Sequence, residues 1–137
     1  MRKQLALLAA AATTLGNALP LAAAGLDGKS PVICATNETF DCSPDSDCIK
    51  DTPEAVNLPR FIWLDFAKKQ ARTKRASGEE RTAEIHDVSV GDTMINLQGV
   101  QGGHGWSIAI TKDTGAMSAA ISGDQAGFVV FGICTTL

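Results

Sequence analysis

The stretch Leu97–Gly115, LQGVQGGHGWSIAITKDTG, carries the clearest structural signal in the chain. From Trp106 it alternates, with Trp106, Ile108 and Ile110 on one face and Ser107, Ala109 and Thr111 on the other. That period of two is the pattern of a strand with one face buried. The glycines before it do not form a phosphate cradle: GGHGW leads into a strand rather than a helix, and no Gly-Lys-Ser/Thr follows. They read instead as a hairpin turn whose glycines accept positive φ. TKDTGAM reads as the next hairpin, with Gly115 in its loop.

Working outward, RTAEIHDVSV from Arg81, TMINLQGV from Thr93, GAMSAAIS from Gly115 and GFVVFGICTT from Gly127 repeat the same strand-and-turn grammar. Upstream, SPVICATNETF from Ser30 is a strand. LPRFIWLDFAKK from Leu58 reads as a buried strand, with a short amphipathic helix as the alternative, because so short an apolar run fits both periods. The expected class is all-β: a small antiparallel meander of about eight strands forming a closed or flattened, lipocalin-like barrel, since closure removes exposed edges. Trp63 and Trp106 are expected in its core, and Phe128 inside it.

The chain starts MRKQLALLAAAATTLGNALPLAAAG, two basic residues before an apolar run and then Ala22-Ala23-Ala24. This is the pattern of a secretory signal peptide over residues 1–24, leaving residues 25–137 as a single β-barrel domain of 113 residues. No Cys stands at the cleavage point for a lipid anchor, and the run is too interrupted to serve as a membrane span. The expected location is periplasmic or secreted, without a membrane span after cleavage, and the expected state is a monomer. The remaining ten basic and fifteen acidic residues carry a net charge of −5, which gives no general attraction to nucleic acid.

Cys34, Cys42, Cys48 and Cys134 all lie beyond the signal segment, and four cysteines in a small exported chain read as two disulfides. Three pairings are possible. The favoured one joins Cys42 to Cys48 across SPDSD and Cys34 to Cys134 across the whole domain. No Cys-x-x-Cys supports zinc.

Other candidate sites each have a plainer reading beside them. His86 and His104 could share a metal with Asp87 or Asp92, but nothing in their spacing requires it. Asp41, Asp45, Asp47 and Asp51 form an acidic loop without calcium-loop order. Lys68, Lys69, Arg72, Lys74 and Arg75 form a basic island, read either as a surface for an anionic partner or as the solvated end of an edge strand. Ser89, Ser107, Ser118 and Ser122 lie in no nucleophile motif, and no metal or cofactor is implied. Asn37-Glu38-Thr39 is a glycosylation sequon only for a eukaryotic source.

On PVICAT, the later cysteines, LPRFIWLDFAKK, LQGVQGGHGWSIAI, TGAMSAAISGD and GFVVFGICT, the chain resembles a family of small exported proteobacterial proteins without an assigned function. The resemblance implies export, compactness and a β fold, but no activity. A second resemblance is to periplasmic inhibitors of c-type lysozyme, through Ala76-Ser77-Gly78; the tyrosine those proteins carry nearby is absent, and the chain has no Tyr.

The resulting expectation is a non-enzymatic exported binding protein. Its partner is a small ligand held in the barrel, where Trp106, Ile108 and Ile110 line one wall, or an envelope protein met by the basic island and Ser77. The alternatives are a surface inhibitor of lysozyme type, with a packed interior, or an enzyme, which would need His86, His104 and two carboxylates brought together.

Overall fold

The computed structural model describes residues 25–137, and the signal peptide expected over residues 1–24 lies outside them. The described residues form ten strands and no helix: β1 (Val32–Ser43), β2 (Ser46–Asp51), β3 (Phe61–Asp65), β4 (Gln70–Lys74), β5 (Glu80–Glu84), β6 (Asp87–Val90), β7 (Met94–Gln101), β8 (His104–Thr111), β9 (Ala116–Gly123) and β10 (Ala126–Thr136). All pairings are antiparallel and belong to one sheet of order β5-β4-β3-β1-β10-β9-β8-β7-β6, with β2 on β1.

Local chemistry accounts for the hairpins. Gln101 faces His104 in the β7–β8 ladder, leaving a two-residue loop of Gly102 and Gly103 at φ 57° and 82°. Two consecutive positive φ angles match the right-handed twist of the strands, and glycine adopts them at least steric cost. Alternation then sorts the side chains: Ile95, Leu97, Ile108, Ile110, Met117, Ala119 and Val130 are buried on the concave face.

The strand count exceeds the expected eight where apolar alternation is weak. β2 is exposed throughout; the Cys42–Cys48 bridge and the Lys50–Glu38 ion pair tie its hairpin to β1. β4 falls inside the basic island and is paired on both sides, so the island is not the end of an edge strand. The run Arg81–Val90 divides at Ile85–His86, where consecutive amides turn to different partners. The Ile85 amide donates to the Lys69 carbonyl at 2.9 Å, and that of His86 to the Gln98 carbonyl at 2.8 Å. β5 and β6 are therefore the two ends of the hydrogen-bonded order, although they are consecutive in the chain. The sheet curls as a half-barrel until β5 lies against β7 without a ladder between them.

β1 shares one edge between two partners. Val32–Ala35 pair with β3 and Thr39–Ser43 with β2, and a bulge between Thr36 and Glu38 separates the halves. Here Thr36 fastens the 52–60 loop, its hydroxyl donating to the Pro59 carbonyl at 2.7 Å and its amide to that of Arg60 at 2.9 Å. The bulge resets the inward face to Thr39, whose hydroxyl is buried with no partner among the described residues.

β3 is buried on one face only: Ile62 and Leu64 point inward, while Phe61 and Trp63 do not. Trp63 therefore leaves the expected core for the outer face, beside Phe61 at 6.2 Å and with the Arg72 guanidinium 6.0 Å from its ring. FIWLD is apolar at both parities, so sequence alone does not say which residues face inward.

The disulfides are Cys34–Cys134 and Cys42–Cys48. The first joins directly opposed residues of β1 and β10 within the core. Two disulfides are consistent with an oxidising compartment outside the cytoplasm. Among the described residues no helix is long and apolar enough to cross a membrane.

Candidate functional site

The concave face is filled at one end and hollow at the other. At the filled end Leu26, Val32, Leu64, Phe66, Ile85, Ile95 and Ile110 pack together, and the Leu26 amide donates to the Lys112 carbonyl at 2.9 Å. Toward the other end the inward positions of β4, β5 and β9 are Ala71, Ala83 and Ala119. Ala71 and Ala83 face each other in register, and Ala119 faces Ile108. Three methyl groups where the filled end has branched or aromatic side chains leave a cup of about 310 Å³. That lies at the lower end of the range for small-molecule sites.

Register builds the walls of this cup. Trp106, Ile121 and Phe128 are successive partners across β8, β9 and β10, a row of two aromatic rings around an isoleucine. Across from them Ile62, Thr73 and Arg81 are successive partners on β3, β4 and β5. Val56–Pro59 of the loop fastened by Thr36 complete the side. The Trp106 indole has its position because Gly99 lacks a side chain: a Cβ there would collide with the six-membered ring and stand 2.6 Å from the Glu84 carbonyl oxygen.

The rim is basic. Arg75, Arg81 and His104 line the cup, and no lining residue is acidic, although the whole chain carries a net charge of −3. Glu79 stands at the β4–β5 turn and is shared by both arginines. Arg81 Nε donates to its Oε1 at 2.9 Å, and Arg75 Nη1 lies 3.4 Å from its Oε2. His104 Nδ1 faces the Gly102 carbonyl at 3.1 Å, and the ring lies over Gly123.

The residues singled out from sequence are distributed unevenly. Trp106 and Ile108 line the cup, whereas Ile110 belongs to the filled end. The basic island is split by the geometry of β4. Lys68 and Lys69 lie in the β3–β4 turn at the opposite end, with Lys68 3.3 Å from Asp65. Arg72 stands by Trp63 on the outer face, and Lys74 is paired with Glu80 at 3.6 Å. Only Arg75 reaches the rim, where Ser77 is exposed in the adjoining turn. Arg81 and the three alanines carry no motif that marks them in the sequence. Alternation nevertheless puts Arg81 on the same parity as Ala83 and Ile85, a charge at an inward position that sequence could have flagged.

A second hollow of about 360 Å³, shallower and open to solvent, shares Trp106 as a wall and is lined by His86, Asp87, Gln98, Ser107 and Ser122. His86 and His104 thus face different hollows. Among the described residues no three His, Cys, Asp or Glu side chains gather as metal ligands would. The chain matches no family model, no curated protein and no solved structure.

Proposed function

We propose that this is an exported binding protein, periplasmic or secreted, that takes a small apolar or amphipathic ligand into the cup and carries out no catalysis on it. In this reading the continuous run Glu80–Val90 closes the curled sheet into a small barrel by pairing first with β4 and then with β7. The cup carries the proposal: a partly open, largely apolar space of about 310 Å³, floored by alanines and walled by Trp106 and Phe128. Apolar lining with a few convergent polar groups is the usual make-up of a small-molecule site.

The test is native mass spectrometry of the protein purified without denaturation, compared with its denatured mass. An added mass that leaves on denaturation supports a ligand carrier. A bare chain that also fails to quench Trp106 fluorescence with any short amphiphile refutes the reading. The exposed turn at Ser77 favours a second one, inhibition of a lysozyme-type enzyme by insertion of that turn. A c-type lysozyme assay, in which Ser77→Arg should abolish inhibition, decides it.

A further inference from the structure

We infer that the ligand is an amphiphile with an anionic head, a short-chain carboxylate or its equivalent, and that Glu79 is a built-in competitor for the head-group site. The inference rests on the cup reading and adds the chemistry of its rim. In a chain whose acidic residues outnumber its basic ones, the charged residues lining the cup are Arg75 and Arg81, with His104 the remaining titratable group. Arg81 is in register with Thr73, which is in register with Ile62, so its side chain projects from the same row as an apolar wall residue. A ligand tail resting on Ile62 and Ile108 between Trp106 and Phe128 would bring its head to the two guanidinium groups.

Those groups retain donors for it. Each guanidinium offers five N–H donors in a planar fork matched to a carboxylate. Toward Glu79, Arg81 uses its Nε and Arg75 one Nη. One carboxylate thus stands between two cations and leaves a net positive rim. Glu79 is half-exposed, so its ion pairs are worth little to the fold and exchange readily with another carboxylate. A volume of about 310 Å³ accommodates on the order of ten water-sized groups, the heavy-atom count of an eight-carbon carboxylate.

The experiment uses the protein in a Trp63→Phe background, which leaves Trp106 as the single fluorescent indole, titrated with octanoate, octanol and octyltrimethylammonium. Octanoate is expected to bind at least tenfold more tightly than octanol, with the cation weakest, and added salt should weaken octanoate alone. Glu79→Gln should tighten octanoate several-fold and leave octanol unchanged. Arg81→Gln and Arg75→Gln should each bring octanoate toward octanol, while Arg81→Lys restores only part of the difference because it lacks the fork. Circular dichroism of each variant checks that the fold is kept, and the octanol affinity checks that the cup is intact. Equal binding of octanoate and octanol, or a Glu79→Gln variant with unchanged octanoate affinity, overturns the inference while leaving an apolar cup. Failure of all three probes to bind removes the cup reading and the inference with it.

Discussion

Replacing both Cys34 and Cys134 by alanine should be far more damaging than the same change at Cys42 and Cys48. The first pair spans a sequence separation of 100 and the second one of 6. In the chain-entropy treatment these closures restrict the unfolded chain by about 4.7 and about 2 kcal/mol. Location widens the gap. Cys34 is fully buried and Cys134 nearly so, and removing each sulfur costs about 1 kcal/mol more in lost packing. Cys48 lies on a strand exposed along its length, so release of that bridge loosens a hairpin that can fray without opening the core. The expected losses are about 6–7 kcal/mol against at most about 2, and the larger approaches the whole stability of an ordinary domain. Equilibrium urea unfolding followed by tryptophan fluorescence reads the difference. With a slope of about 1.5 kcal/mol per molar, the two midpoints should lie roughly 3 M apart. Equal midpoints, or a greater loss for the Cys42/Cys48 pair, would refute the reasoning and show that the denatured chain keeps β1 near β10 without the bond.

Other expectations follow from individual side chains. Thr39→Val should stabilise the fold by about 1 kcal/mol, raising the melting temperature by about 4 °C, because it removes a buried hydroxyl with no partner among the described residues; a loss of stability would show that the hydroxyl is satisfied. Gly99→Ala should cost about 2 kcal/mol by forcing the Trp106 indole from its place and should weaken ligand binding in the cup; an unchanged melting temperature and emission spectrum would contradict that. Acid should destabilise the protein only below the ordinary carboxylate range, about pH 4. Asp27 is held below that range chiefly by the Ser30 amide, Asp65 by the Lys68 amide, and Glu54 by its own amide with help from Arg60. Folded-state values that are depressed add stability above the unfolded value and lose it as pH falls through the folded one. Thermal melts should therefore be nearly level from neutrality to about pH 4 and decline below; a decline already complete by pH 5 would point to other groups.

Features that depend on neighbours along the chain are legible in its residues alone. Alternation from Trp106 to Thr111 set the inward face of β8, two adjacent glycines set its hairpin, and cysteine spacing suggested the bridges that form. Where a segment is apolar at both parities, as at Phe61–Asp65, or polar apart from a single alanine, as at Gln70–Lys74, that local signal is missing, and the inward face of β3 and the interior place of β4 emerge only from their partners. The site, by contrast, arises from contacts between distant strands. The cup exists because Ala71, Ala83 and Ala119, on three different strands, arrive at one level of the sheet, and its charge arises because Arg75 and Arg81 are folded to one rim while Lys68, Lys69, Arg72 and Lys74 are not. A cavity is a deficit of side-chain volume summed over residues far apart in sequence, and that sum is defined only once strand order and register are set.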